Sequence, residues 1–327
     1  MAFSPVFARF LAAALGDEHV TERAKHLNVS DAGHGFDRFG LHPDFIALSD
    51  AITSPLYEKY FRVTSYGSEH IPASGPAILA ANHSGVLPVD GMMLYADVLR
   101  NTQPPRVVRP VADYFVSTLP LVSTLFARCG VVGGSRGNAR ALLGDGELLM
   151  IFPEGTPGIS KHFSRRYQLQ TWRQGHAELA IRHQAPVIPV AVIGAEEQMP
   201  SLGKIPLPKG GLPFIPIPAV PIPMPVQYHI HYGEALRFDK EYSYGDEHDA
   251  WKDFAAGRSN ILRRFLTHPS LFYTQTATTL WENRAKENIR GEILRLDRVA
   301  CVSRCAAIDG KAPIGASVAS PSAGASL

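Results

Sequence analysis

In the stretch ANHSGVLPVDG, Ala81 to Gly91, a histidine and an aspartate stand with six residues between them, directly after the apolar run PAILAANH. A neutral imidazole can take a proton from an alcohol near pH 7, and a carboxylate on its other ring nitrogen fixes the tautomer and stabilises the imidazolium. His83 and Asp90 are therefore a candidate base and its orienter. Seven positions along one continuous helix would part them by about 10 Å, too far for a hydrogen bond. Gly85 and Pro88 favour a loop first, with Pro88 at the first helical position and Asp90 in the first turn, so that His83 can fold back. Two structural readings stand beside this one: Asp90 as a charge at a helix N-terminus, and His83 as a satisfied core histidine.

Further polar residues follow short apolar runs. Arg136 closes GVVGGSR and offers a planar fork to an acceptor's phosphate or other polar head, assisted by the backbone N–H groups of the Gly133–Gly134 turn. It is otherwise an exposed arginine at a helix start. In IFPEGTPG, Ile151 to Gly158, a carboxylate comes straight after a buried run, at a strand's C-terminal end where α/β sites gather. Glu154 is suited to accept from a substrate hydroxyl or to hold Arg136, with a structural salt bridge as the plainer alternative. Gly155 permits close backbone approach. Lys161, Arg165 and Arg166 form a basic cluster that is either a solvated face or a supply of positive charge.

Other chemistries find little support. No G-x-S-x-G elbow, Walker A loop, dinucleotide fingerprint or zinc spacing occurs, and Ser84 is expected to make only a turn hydrogen bond. His229 and His231 share a strand face without a third ligand, so no metal site is expected, and no cofactor.

Four short stretches come in order: NHSGVLPVDG, GVVGGSR, IFPEGTPG and VIPVAVIG. This order resembles the blocks of the PlsC-like glycerolipid acyltransferases, with the lysophospholipid acyltransferase fold, over about residues 60–236. NHSGxLPxDG and a proline-rich apolar segment look closest to the monoacylglycerol and diacylglycerol acyltransferase branch. The family's usual spacing is His-x4-Asp, against six intervening residues here, and its Arg-Ser after the FPEGT motif is replaced by Pro157-Gly158. The resemblance implies transfer of a fatty acyl group from an acyl thioester to a glycerolipid hydroxyl. It implies catalytic roles for His83 and Asp90 and substrate-binding roles for Arg136, Glu154, Gly155 and Thr156. A catalytically weak lipid-binding protein of the same fold is the alternative. The implied partners are the lipid acceptor, the acyl thioester (acyl-CoA or acyl carrier protein) and a membrane surface.

The elements that must position these residues are strands alternating with helices. Strands are expected at 60–67, 76–83, 106–111, 130–134, 148–152, 186–194 and 226–236, and helices at 89–100, 138–144 and 246–266. The fold expected is α/β, one domain with a mixed, largely parallel central sheet flanked by helices. Its divisions are an N-terminal helical region (1–58), the acyltransferase domain (59–268), a C-terminal helical extension (269–309) and a disordered tail (310–327). Between Lys204 and Pro225 the chain is dense in proline and apolar residues, which excludes helix and central strand. It is either an extended loop over the core or an apolar surface for lipid.

Of the 327 residues, 45% are apolar and 19% charged, enough for a sizeable core. A net charge of +2 argues against nucleic acid as a partner. The odd set Cys129, Cys301 and Cys305 fits a reducing compartment. The apolar piece Val6–Leu15 is too short to span a bilayer and has no basic leader, and no other run reaches about 18 residues. The expectation is a cytoplasmic protein bound peripherally to the inner face of a membrane.

Overall fold

Three runs of small and branched apolar residues, AILAA, LLMI and VIPVAVI, form adjacent parallel strands in the computed structural model: β2 (Ala77–Ala81), β5 (Leu148–Ile151) and β6 (Val187–Ile193). The structure describes residues 4–237 apart from 16–21, 25, 28, 167, 171, 172, 174 and 208–213. Continuous apolar runs without alternation are what a strand covered on both faces requires. β2 shows the consequence: Ala77, Leu79 and Ala81 join one core cluster, while Ile78 and Ala80 join the other. The helix Val89–Asn101 contributes to the first cluster, and the helices Arg136–Gly144 and Gly175–Arg182 to the second.

The sheet has seven strands in the order β1-β9-β6-β2-β5-β3-β4, where β1 is Thr64–Tyr66, β3 Val108–Ala112, β4 Val132–Gly133 and β9 His229–Tyr232. Neighbours are parallel throughout except β6 with β9. This is the largely parallel α/β sheet expected. The strand expected at 60–67 is shorter than anticipated. A π-helical turn, Leu56–Tyr60, precedes it and turns Tyr57 and Phe61 into the core.

The N-terminal region is helical only in part. The helices Pro5–Leu15 and Pro43–Pro55 pack together through Ala8, Ala12, Phe45 and Leu48, and turns fill much of 29–42. Buried ion pairs join it to the sheet and its helices: Arg109 of β3 with Asp37 at 2.6 Å, and Arg100 with Asp50 at 2.9 Å. The segments expected as helix 246–266, as extension 269–309 and as tail 310–327 lie outside the described residues, as do Cys301 and Cys305. Cys129 is free, with its thiol pushed up to about 12 by burial.

The proline-rich segment is neither helix nor part of the main sheet. β7 (Ser201–Pro206) and β8 (Phe214–Pro218) pair as a separate antiparallel ribbon. A two-stranded ribbon has only edges, which is where strand prolines such as Pro206, Pro216 and Pro218 are tolerated. Leu202, Ile205, Ile215 and Ile217 on the ribbon are exposed, as is Ile222 beyond it. Among the described residues no helix is long and apolar enough to cross a membrane.

Candidate active site

The register of β2 on β5 builds the centre of the site. Ala80 is level with Ile151, so His83 and Glu154, each three residues further on, leave the carboxyl ends of neighbouring strands together. The His83 backbone N–H donates to Glu154 Oε1 at 3.0 Å, and the Gln170 N–H donates to Oε2 at 2.7 Å. Asn82 extends β2 by one step with its side chain, donating to the Val192 carbonyl (2.9 Å) and accepting the Val192 N–H (2.7 Å). The strand end carrying His83 is thus fastened to both of its neighbours.

The loop after His83 turns back as Gly85 and Pro88 suggested. Gly85 has φ +86°, and a Cβ there would lie 2.7 Å from the Ala195 carbonyl oxygen, so glycine is the residue that fits. Pro88 is the cap of the helix Val89–Asn101 rather than its first residue, a shift of one position. Asp90 falls in the first turn, fully buried, and its Oδ2 lies 2.7 Å from His83 Nδ1. The same oxygen accepts the Ser84 N–H (2.9 Å), and Oδ1 accepts the Gly91 N–H (2.7 Å). A carboxylate at Nδ1 places the proton on that nitrogen and leaves Nε2 as the acceptor. The imidazole stacks on Phe152 with ring centroids 4.1 Å apart. Its side chain keeps 13% exposure.

Glu154 does not hold Arg136. Its carboxylate is 1% exposed and engaged by the two backbone donors. Burial pushes its carboxyl above the ordinary range, opposed by Lys161 and by those donors. Arg136 begins the helix Arg136–Gly144, capped by Ser135, with its side chain 66% exposed and 3.5 Å from Glu178. It follows β4, three strand positions from β2, which is about 14 Å at ordinary strand spacing. Gly155, at φ +59°, and Thr156 open the short helix Thr156–Ile159. The guanidinium of the exposed Arg173 lies over Gly155.

Part of the site was not singled out in the sequence. A Cβ on Gly158 would lie 2.5 Å from the His83 carbonyl oxygen and 3.0 Å from its Cβ, so this loop packs directly on the histidine's backbone. Beside it opens a small cleft lined by Gly85, Gly158, Lys161, Arg166 and Glu196 among others. Lys161 is no solvated cation: its Nζ pairs with Glu196 at 2.5 Å and donates to the Gln168 carbonyl at 3.0 Å. His231 stacks on Tyr66, and no group of three possible metal ligands occurs among the described residues.

A family model described as Acyltransferase matches residues 62–193. That span runs from just before β1 to the end of β6 and holds His83, Asp90, Arg136 and Glu154. An uncharacterized protein of Mycobacterium leprae is 32% identical over 72% of this chain and 68% of its own. The chain belongs to the acyltransferase family. An uncharacterized protein of Mycobacterium tuberculosis is 37% identical over 62% of this chain and 60% of its own. A bovine relative named as a DGAT1/2-independent enzyme synthesizing storage lipids is 29% identical over 58% and 56%. This acyltransferase-family chain spans about 60% of the length of the Mycobacterium tuberculosis relative. A solved PlsC acyltransferase of Thermotoga maritima overlaps it with TM-score 0.44 at 16% identity, covering 79% of this chain and 90% of that one.

Proposed function

We propose that this protein is an O-acyltransferase that moves a fatty acyl group from an acyl thioester to the hydroxyl of a glycerolipid, with His83 as general base. The observation that carries the reading is the 2.7 Å contact between His83 Nδ1 and the fully buried Asp90 carboxylate. Such a carboxylate orients the ring and stabilises it once protonated. Nε2 takes the proton of the acceptor hydroxyl as its oxygen attacks the thioester carbonyl. The C–S bond then breaks, and the leaving thiolate collects that proton from Nε2. Direct transfer needs no enzyme nucleophile. The altered His–Asp spacing, which favoured a catalytically weak binding protein, is absorbed by the Gly85–Pro88 loop.

Glu154 acts in this reading by holding the His83 backbone, and Gly155 and Thr156 shape the wall beside it. Arg136, expected to serve the acceptor, follows β4, three strand positions from His83's strand, and in this reading is suited to a distal polar group instead, such as the phosphates of an acyl-CoA or acyl carrier protein. A neutral glycerolipid acceptor is in keeping with the bovine relative's name. The protein meets the bilayer through the exposed apolar ribbon β7–β8 and the exposed Val6, Phe7 and Phe10 of the first helix. So few apolar contacts make the binding reversible and peripheral, and we place it at the inner face of the membrane.

The test is release of free CoA from acyl-CoA in the presence of a monoacylglycerol, wild type against His83→Ala. Loss of release in a folded variant supports the reading. Turnover above half of wild type in His83→Ala overturns it.

A further inference from the structure

The exposed apolar side chains of the sheet region are confined to one of its two rims. β2, β3, β5 and β6 run parallel, so their carboxyl ends share the rim at which His83 stands. Leu87 and Met92 follow β2, Tyr114 and Leu121 follow β3, and the ribbon β7–β8 follows β6, each with apolar groups in solvent. At the opposite rim, the connections 67–76, 102–107, 145–147 and 183–186 hold no exposed large apolar side chain. An apolar surface gathered on one side marks an interaction face.

The segment after β3 is the part of this face that the site leaves unused. From Tyr114 to Ala127, YFVSTLPLVSTLFA, it has no charged residue. The turn Tyr114–Thr118 lies over the end of β4, where a Cβ on Gly133 would stand 3.0 Å from Ser117 Oγ. The helix Val122–Arg128 then takes the chain back to the start of β4, so its first residues are its end nearest the His83 rim. Neither the turn nor the helix contains a buried residue. Leu121, at the helix cap, has φ +64° and ψ −50°, and the Val122 N–H donates to the Pro120 carbonyl at 2.7 Å. This is a γ-turn of the strained hand, a conformation that glycine would take at less cost. The strain presents a leucine to solvent at 68% exposure, and Leu125, one helical turn on, shares its face.

Charge favours one occupant. In the loops that follow β2, β3, β5 and β6, the exposed charges among the described residues are Arg165, Arg173 and Lys204 against Asp113. Apolar side chains rimmed by cations complement an anionic lipid surface, whose hydrocarbon takes the leucines and whose head groups take the cations.

We infer that the turn at Leu121 is a bilayer anchor, inserted into an anionic lipid surface so that the carboxyl rim of the sheet, and His83 with it, faces the membrane. The use of this contact rests on the acyltransferase reading given above, since a lipid hydroxyl then meets Nε2 without leaving the interface.

The experiment is flotation without substrate on vesicles of phosphatidylcholine and phosphatidylglycerol in equal parts, wild type against Leu121→Ser/Leu125→Ser. The double variant is expected to lower the partition coefficient by about tenfold or more, the factor that burial of one leucine supplies. In a second arm, Leu121→Trp should be quenched by brominated acyl chains beyond the level of wild type. An unchanged partition coefficient in the folded double variant overturns the inference, and so does a wild type that stays off the vesicles. Absence of added quenching in Leu121→Trp overturns it as well, and that arm stands even if the double variant does not fold. A wild-type dimer that the double variant turns into a monomer gives the face to a second copy of the chain and overturns it too. CoA release with a soluble short-chain monoacylglycerol should be equal in wild type and double variant. Loss of that release in the folded double variant alone places Leu121 in the site and overturns the anchor. If wild type releases no CoA, the acyltransferase reading fails, and the two vesicle arms decide the anchor by themselves.

Discussion

The backbone N–H of His83 is held by the side chain of Glu154, a residue 71 positions later at the end of the adjacent strand. In the proposed reading the histidine's position therefore depends on a carboxylate that touches no reacting atom. Glu154→Gln keeps one acceptor oxygen and loses the other. We expect a fall in kcat with little change in KM for the acceptor, and about 1–3 kcal/mol of lost stability from the unsatisfied N–H. Steady-state kinetics with a urea melt check both. A change confined to KM would mean that Glu154 reaches the substrate instead.

His83→Ala should lower turnover by about 10²–10⁴-fold, the usual contribution of a positioned base. Asp90→Asn should also lower kcat, because an amide at Nδ1 can select the wrong tautomer. CoA release by both variants, alongside circular dichroism of each, measures this. Full activity in folded Asp90→Asn would remove the orienting role.

Gly158→Ala should impair catalysis far more than stability. The added methyl meets the His83 carbonyl oxygen at 2.5 Å and must push the histidine aside. A displacement of about 1 Å at a reacting group costs on the order of 10²-fold. Gly144→Ala, where an added Cβ meets nothing within 4 Å, is the control, with activity retained. Parity between the two variants would show that the loop yields without moving His83.

Two buried histidines should make stability fall with acid between about pH 6.5 and pH 4, against Glu197, whose carboxyl burial raises to about 7 and which acts in the opposite sense over the same interval. Burial lowers both His176 and His231 to about 4, with the Arg173 carbonyl opposing it at His176 and His229 adding to it at His231. Both are uncharged in the native state over that interval, while the unfolded chain takes up protons. The unfolded state thus binds more protons, and stability rises with pH through the window. Each histidine contributes on the order of 3 kcal/mol once the interval is crossed. Urea midpoints at pH 7.5 and 4.5, wild type against His176→Gln, test the sign: the acid loss should be smaller in the variant, and an equal loss would contradict it.

Replacing Leu202, Ile205 and Ile215 with serine should at least halve the fraction of protein that floats with liposomes. Ile205 and Ile215 face each other across the ribbon and both are exposed. Each apolar side chain withdrawn from water contributes up to about 2 kcal/mol. Unchanged flotation would assign bilayer contact to another surface.

Much of this site was legible in the sequence because its determinants are local. The strand ends before His83 and Glu154 are uninterrupted apolar runs, and Gly85 and Pro88 announce the loop that returns Asp90 to the histidine. Contacts made across the sheet were not legible. That Glu154 grips His83, and not Arg136, follows from β2 lying beside β5, with β3 and β4 beyond. The Lys161–Glu196 pair joins residues 35 positions apart, so Lys161 looked like part of a solvated cluster. The ribbon's strands were hidden by proline, whose missing donor matters little where no further strand adds. Asp97 showed nothing of its role. It sits inside a helix, yet accepts from Tyr57, Ser65, Asn101 and Tyr232.

The order β1-β9-β6 has a consequence for synthesis. β1 is among the first strands to leave the ribosome, yet its partner in the sheet is β9, more than 160 residues later. Until His229–Tyr232 emerges, one side of β6 has no strand beside it and β1 has nothing to join. A nascent chain stalled short of that point carries an open, apolar strand edge, the kind of surface on which chains aggregate. Translation speed over this interval, and chaperone cover of the β6 edge, should govern the yield of active protein more than the stability of the finished fold.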